Sequence, residues 1–545
     1  MGGPGTVQSN LRPLWKELDA PCMHSCPNHN DVRGAMVAVH MREKFGYTVE
    51  QAYQVAWKKI VETNPMPAIC GRVCPHPCET DCNRSELEGA VGINSFERYV
   101  GDLGLENNWQ FELKSQTKRP EKIAVIGAGP GGLSAAYHLA RQGYQVTVFE
   151  AFDKIGGMLF YGIPSYRLPR DLMNKELQKI LDLGVELKTN CTVGKDVAYE
   201  DLQQEYQAIF VAIGAHKGKL LGIDGEEAPN VLTGAAFLNL ANSGKPPEVG
   251  NDVLVVGGGD TAIDAARVCK RLGAENVTIV YRRTVKEMPA IEEEIKGAEE
   301  EHIKFHFLSA PTEFIKEGDR ATGMKCIRME LTEPDGSGRR RPVPVDDSEF
   351  IIDTSMVISA ISQEPDFDPL EHLREGRGWC VVDDYHRSHH GEKTYAGGDA
   401  VILATVTAAI AHGRFAAETI HKDLNGEKSE IPAAIPIIKA DQMQLPFYEK
   451  KERNLPTAVS VEERLAKLDL EVNKNLSEEE ILAEASRCMS CGECFRCSEC
   501  FKSCPTNCLH EETFDAYNCI SCNKCLQGAC PTAVIRKSPG WLNQT

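Results

Sequence analysis

No stretch of the chain approaches eighteen consecutive apolar residues, so no segment carries enough hydrocarbon to span a bilayer as a helix. The opening MGGPGTVQSNLRPLWKEL lacks a basic region followed by an apolar core, and neither an export signal nor membrane insertion is expected. Positive charge is also in short supply. Against 79 Asp and Glu stand 60 Lys and Arg, a formal net charge of −19. Phosphate backbones are held by clustered cations, so a nucleic-acid partner is not expected. Low-complexity tracts and solenoid repeats are absent as well. What is left is an ordinary globular composition, 42% apolar and 26% charged. Its 545 residues suffice for about three to five domains, each with its own core.

Cysteine is the residue in excess. Eleven of 21 lie between Cys488 and Cys530. Two runs stand out, Cys494-x2-Cys497-x2-Cys500-x3-Cys504-Pro505 and Cys519-x2-Cys522-x2-Cys525-x4-Cys530-Pro531. Such spacing wraps two cubane iron–sulfur clusters, with the last cysteine of each run ligating the other cluster. Thiolates two residues apart turn inward round a compact metal core, and the proline ends the turn. A disulfide scaffold is the competing reading of any cysteine-dense segment. Against it, the segment is joined to an acidic multidomain body without a secretory leader. A reducing cytoplasm is the expected location. A chain that keeps such clusters moves electrons.

The rest of the chain divides by pattern. Residues 1–115 are cysteine-rich and helical, with breaks at Pro65, Pro67, Pro75 and Pro77. KIAVIGAGPGGLSAAYHLARQGYQVTVFE (122–150) reads strand, glycine turn, helix, strand, and NDVLVVGGGDTAIDAARVCKRLGAENVTIVYRR (251–283) repeats it. KTYAGGDAVILATVTAAIAHGRFAAETI (393–420) reads as a late return to the first fold, so the second is expected to be inserted into the first. The expected domains are a helical iron–sulfur domain (1–115), an FAD-binding fold (116–248 and 352–424) and an NAD(P)-binding fold (249–351). A Pro- and charge-rich linker (425–480) then tethers a two-cluster ferredoxin domain (481–545). The fold class is an α/β flavoprotein with two dinucleotide-binding domains. An all-α domain precedes it, and an α+β bacterial-ferredoxin-like domain follows.

In the first fingerprint Gly127 permits the tight turn and Gly129 lets backbone amides approach a pyrophosphate. Gly132 lets helix and strand pack closely, and Glu150 ends the next strand, where it can accept ribose hydroxyls. Ala128, Pro130 and Gly131 complete that loop. The second fingerprint is Gly257-Gly258-Gly259-Asp260-Thr261-Ala262. Its next strand ends in Arg282-Arg283 rather than an acid, which would bind a 2′-phosphate and favours NADP(H) over NAD(H). A solvated basic corner is the alternative. Gly398 and Asp399 of GGDA follow a buried strand. The helix near Thr407 would turn its positive end to a flavin. Hydride passes between cofactors that the protein aligns, so no catalytic side chain is assigned.

Together the segments CMHSCP (22–27), NPMPAICGRVCPHPCETDC (64–82), VGINSFERYV (91–100), IGAGPGGLSAA, GGMLFYGIPSYRLP (156–169), VVGGGDTAIDAA, YRRTVKEMPA (281–290) and AGGDA carry a resemblance. From Pro21 to about Leu424 the chain resembles the small, NADPH-oxidising subunit of bacterial glutamate synthase and the N-terminal half of dihydropyrimidine dehydrogenase. The resemblance implies FAD in the outer fold, with Gly157 beside it, NAD(P)H in the inner one, and two clusters in the helical domain. It implies that Cys26, Cys74 and Cys78 ligate one of these, with Glu97 at the family's non-cysteine place. The residue-level alternative for Glu97 is a helix-surface acid.

The chain departs from that family at the other N-terminal cluster. Cys22 and Cys82 are present, but the CxxC pair that should precede Cys22 is not. Cys488 and Cys491, in EASRCMSCG, exceed what the ferredoxin runs need and resemble the missing text. The expectation is that they reach back to Cys22 and Cys82. The alternatives are an idle pair or a redox-active thiol pair. Cys70, Cys508, Cys191, Cys269, Cys326 and Cys380 are expected to be buried and inert. The x4 gap before Cys530 is expected to bulge near Gly528.

The expected activity is that of an NAD(P)H:acceptor oxidoreductase of the ferredoxin type. It would exchange electrons with NAD(P)H at FAD and relay them through about four 4Fe–4S clusters, and no fewer than three. The expected partner is a redox protein or catalytic subunit docking at the C-terminal module of a hetero-oligomeric complex. Reverse flow from a partner such as a 2-oxoacid oxidoreductase, flavin-based bifurcation, and a non-enzymatic redox scaffold or sensor are the competing readings.

Overall fold

The computed structural model describes residues 12–538 apart from 16–17, 335, 337, 377, 432–433, 511–512, 515–518, 520–521, 523 and 527–529. The chain divides into two compact units, one of residues 1–111, 430–456 and 475–545, the other of residues 112–429 and 457–474.

The nucleotide unit holds two five-stranded parallel sheets. In the first, the strands lie in the order Thr394–Ala396, Ala208–Val211, Lys122–Ile126, Gln145–Phe149, Glu186–Lys188. The first four are buried along most of their length, as strands covered on both faces are, whereas the edge strand Glu186–Lys188 is largely exposed. Helix Pro130–Arg141 follows Lys122–Ile126 and packs along the long helix Val406–Leu424. The second sheet runs Lys304–Phe307, Asn276–Tyr281, Asp252–Val256, Met356–Ser359, Val231–Thr233. An antiparallel sheet of Ser309–Glu317, Arg320–Pro334, Arg340–Pro344 and Phe350–Asp353 adjoins it.

Two expected boundaries move. Strand Val231–Thr233 and helix Gly234–Asn242 precede residue 249, and Met356–Ser359 follows residue 351, yet all three complete the second sheet or pack on it. The crossing points are Lys217–Gly218 and Gln363–Glu364, which pair antiparallel. Without its flanking strands the second sheet would leave the apolar edge of Asp252–Val256 uncovered. Tyr166, from the GIPSYRLP motif of the outer fold, lies in the core of the inner one. Its hydroxyl donates to Asp264 (3.1 Å) while Arg167 pairs with the same carboxylate at 2.8 Å. That motif anchors the inserted fold.

Residues 425–480 are not a loose tether. In the nucleotide unit Val472 donates its amide to the Tyr166 carbonyl, and buried Arg464 pairs with Glu300 at 2.8 Å. In the cysteine-rich unit Ile438 is fully buried and receives Asn83 at its carbonyl. Helix Glu478–Arg487, capped by Ser477, places Ile481 and Ala485 in one core with Trp57, Phe96 and Val91. It therefore belongs with the N-terminal helices rather than with a separate ferredoxin domain. Strand Arg12–Trp15 pairs antiparallel with Ile535–Ser538, so the N-terminal region is not wholly α. Gly528 lies outside the described residues. No helix among those described is long and apolar enough to cross a membrane.

Candidate functional site

At the C-terminal edge of the first sheet, Gly127 has φ +106° and donates its amide to Phe149 (2.7 Å). A Cβ on Gly132 would lie 1.9 Å from the Gly127 carbonyl oxygen. Pro130 opens the helix behind the Gly129 cap, where its missing N–H costs nothing. Gly157 approaches so closely that its Cβ would stand 3.0 Å from the Gly129 Cα. Glu150 is buried and accepts the Ala128 amide at 2.7 Å and the Phe152 amide at 2.9 Å. Each oxygen keeps a further lone pair for a ribose hydroxyl. Burial pushes its carboxyl upward.

Asp399 sits in a 3-10 turn, accepts the Ala404 amide at 3.1 Å, and is pushed by burial up to about 6. The Gly398 amide donates to His412 Nδ1 (3.1 Å). The helix cap is Thr405, whose hydroxyl accepts the Ala408 amide, so buried Thr407 is one step inside the first turn. Gly131 borders both Gly398 and Ala409, within 3.8 Å of a Cβ placed there. Two helix N-termini and a glycine cradle thus converge, and such a cradle fits a dinucleotide.

The second fingerprint repeats the geometry. Gly257 donates to Val280 (3.1 Å), Gly258 abuts the Tyr281 ring, and Gly259 caps helix Asp260–Arg271. Asp260 accepts the Ile291 amide at 2.9 Å, while Thr261 borders Gly234. The arginine pair divides. Arg282 is exposed, but Arg283 is buried and its Nε donates to the Arg340 carbonyl at 2.7 Å. Alternation along an extended strand end sends the two guanidiniums to opposite sides. Of the pair, only Arg282 presents its guanidinium to solvent.

In the cysteine-rich unit, helix Pro67–Val73 lies so close to Ile93–Glu106 that a Cβ on Gly71 would be 2.3 Å from the Arg98 Cα. This contact fixes Cys74, the cap of the first helix, relative to Glu97 on the second. Glu97 is buried and accepts Asn64 Nδ2 at 2.8 Å and Asn30 Nδ2 at 3.3 Å. Burial pushes its carboxyl up to about 7. It is therefore no surface acid. Beyond burial, Cys78 feels Cys74, Glu79, Glu97 and Cys22, in that order. Cys26 caps the short helix Pro21–Ser25, which packs on Pro77–Thr80. Asn30 and Asn64, absent from the sequence expectation, carry no spacing signal that could have revealed them.

Cys494, Cys497, Cys500 and Cys530 line one cavity of about 320 Å³, its open mouth included. Cys497 and Cys500 both feel Cys530. Cys525 feels Cys504, Cys522 and Cys519 in turn. Cys530 thus lines the cavity of the first run, and Cys504 belongs to a core against which Cys519 and Cys525 pack. Cys508, buried, comes within 3.3 Å of Cys504 Sγ. Cys22, Cys82, Cys488 and Cys491 form a third group: Cys22 feels Cys491, Cys82 and Cys488 after burial. None of the 21 cysteines is joined in a disulfide. Cys70, Cys269, Cys326 and Cys380 are buried as expected, whereas Cys191 is half-buried. Among the described residues no three ligating side chains close tightly enough to grip a single metal ion. Thiols grouped about a cavity fit a larger metal–sulfur core.

Comparison with known proteins accords with this geometry. Residues 121–413 match the pyridine nucleotide-disulphide oxidoreductase family, and residues 16–109 match dihydropyrimidine dehydrogenase domain II, a 4Fe–4S cluster domain. The NADPH–Fe(3+) oxidoreductase subunit beta of Geobacter sulfurreducens is 35% identical over 89% of this chain and 76% of its own length. The glutamate synthase (NADPH) small chain of Escherichia coli is 34% identical over 73% of this chain and 87% of its own. The NADP(+)-dependent formate dehydrogenase subunit beta of Moorella thermoacetica is 38% identical over 75% of this chain, which spans 60% of that relative. FprA of Mycobacterium tuberculosis shares the nucleotide-binding fold, with TM-score 0.50 and 19% identity over 57% of this chain and 88% of its own. The chain belongs to the pyridine nucleotide-disulphide oxidoreductase family, as an oxidoreductase subunit that works with FAD, NAD(P)H and 4Fe–4S clusters.

Proposed function

We propose that the chain is the nucleotide-handling subunit of a cytoplasmic hetero-oligomeric complex. It would take electrons from NADPH and deliver them to a partner redox protein at its C-terminal cysteine module. The observation that supports this reading is that Cys494, Cys497, Cys500 and Cys530 line one cavity, while Cys519 and Cys525 pack against the core that holds Cys504. FAD, when bound, accepts a hydride and gives up its electrons singly, and each 4Fe–4S cluster carries one. The chain's own residues position these groups. Gly127–Gly132 and Gly157 cradle the flavin pyrophosphate, Glu150 holds the ribose, and Asp399 with the first turn of Val406–Leu424 faces the flavin. Gly257–Thr261 cradle the nicotinamide dinucleotide, and Arg282 meets its 2′-phosphate. Cys26, Cys74, Cys78 and Glu97 hold the N-terminal cluster.

Purified anaerobically, the chain should reduce an artificial dye with NADPH. A charge-assisted contact to phosphate is worth about 1.5–3 kcal/mol, and exposure puts Arg282 at the lower end. Arg282→Ala should therefore raise the KM for NADPH about tenfold and leave that for NADH unchanged. Equal effects on both coenzymes would remove Arg282 from the phosphate site, and no dye reduction at all would defeat the reading. A second direction has its own support, since one relative is named for oxidising NADPH and another for using NADP(+). Cluster potentials below that of the nicotinamide couple would mark reverse flow.

A further inference from the structure

The third thiol group joins opposite ends of the chain. Helix Glu478–Arg487 packs on Val32–His40 and Ile93–Glu106. At its end Arg487, fully buried, donates to the carbonyls of Ala90 (2.9 Å) and Gly89 (2.8 Å), while Arg84 donates to the Arg487 carbonyl (2.7 Å). One turn on, Leu18 donates its amide to Gly492 (3.0 Å). Arg33 bonds the Leu18 and Cys491 carbonyls at 3.0 and 2.9 Å and pairs with Glu493 at 2.8 Å. Cys22, Cys82 and Cys488 pack against a single core, and Cys491 against the adjoining one. Every thiol here is free. Four half-buried cysteines from the two ends of the chain are thus brought together by long-range backbone contacts, with the Arg33 guanidinium beside them. Such an assembly has no packing purpose that alanine would not serve.

We propose that Cys22, Cys82, Cys488 and Cys491 hold one 4Fe–4S cluster whose ligands come from both ends of the chain, and that this cluster bridges the N-terminal centre to the terminal module. The proposal rests on the reading of the chain as a cluster-bearing electron carrier. The bridging role follows from what lies on either side. Helix Pro21–Ser25, which carries Cys22, packs on Pro77–Thr80, which carries Cys78. On the other side Cys488 and Cys497 pack against one core of Val37, Met41 and Phe495, together with Tyr448, whose hydroxyl donates to the Met489 carbonyl at 2.9 Å. The thiol groups therefore stand in series. On transfer of a preassembled cluster each thiol displaces one carrier ligand from its iron, its S–H proton passing to the departing ligand as the Fe–S bond forms, and the cluster's electron count is unchanged.

Replacing Cys488 and Cys491 together by serine should lower iron by about four atoms per chain and remove one cluster's paramagnetic signal, with flavin content retained. Cys22→Ser with Cys82→Ser should cost the same, and all four replacements together should still cost about four rather than about eight. Additive losses, or unchanged iron in the Cys488/Cys491 variant, would overturn the proposal. Wild-type protein without iron would instead overturn the reading beneath it. Should the serine variants fail to fold, the iron-free wild-type chain can be oxidised gently, digested and analysed by mass spectrometry. Peptides bearing Cys22 or Cys82 should be linked to those bearing Cys488 or Cys491. Linkage confined to Cys488–Cys491 would sink it.

Discussion

Alanine at Gly132 should yield protein stripped of flavin, with NADPH oxidation down about 100-fold or more. The argument is steric. The added methyl carbon would stand 1.9 Å from the Gly127 carbonyl oxygen and 3.1 Å from the Val125 side chain. A backbone oxygen in a turn fixed by the Gly127–Phe149 hydrogen bond has nowhere to go. Helix Pro130–Arg141 would have to move away from the strand, carrying its N-terminal amides off the pyrophosphate position. The helix is also held on its other side, where a Cβ on Gly413 would stand 2.1 Å from the Gly131 carbonyl oxygen. Absorbance of the purified variant checks the result. Normal flavin content would mean that the first fingerprint does not hold FAD.

Serine at both Cys497 and Cys530 should remove about four iron atoms and bring reduction of a protein acceptor to background, while NADPH still bleaches the flavin. Both residues line the same cavity although 33 positions separate them in sequence. Removing them opens one site from both runs without touching the nucleotide folds. A variant that still passes electrons to its acceptor would place the exit elsewhere. One that loses about eight irons would show that the two C-terminal sites cannot fill independently.

Much of this was legible in the sequence because the chemistry demands fixed local spacing. Glycines at Gly127, Gly129 and Gly132, with a strand before and an acid after, can do little but cradle a dinucleotide. The ferredoxin runs, each closed by proline, are equally restrictive, and the meeting of Cys530 with the first run at one cavity accords with them. Matters settled by tertiary packing were less visible. Strands Val231–Thr233 and Met356–Ser359 carry no motif, so the inserted fold read shorter than it is. Residues 425–480 look like a linker by composition, yet Ile438, Arg464 and Val472 are buried in them. Arg282 and Arg283 are one dipeptide with two fates, decided by which side of the strand end each faces. Glu97 read as a surface acid on its helix alone. Only the approach of Asn30 and Asn64 from distant segments makes it a buried, hydrogen-bonded carboxyl.

Anaerobic titration of the wild-type chain with NADPH, followed by visible absorbance and electron paramagnetic resonance on the same samples, tests the whole scheme at once. The flavin band should bleach, and signals of several reduced clusters should then grow in as further equivalents are added. A bleached flavin beside clusters that stay oxidised, at potentials where they accept electrons from dithionite, would contradict the proposed relay.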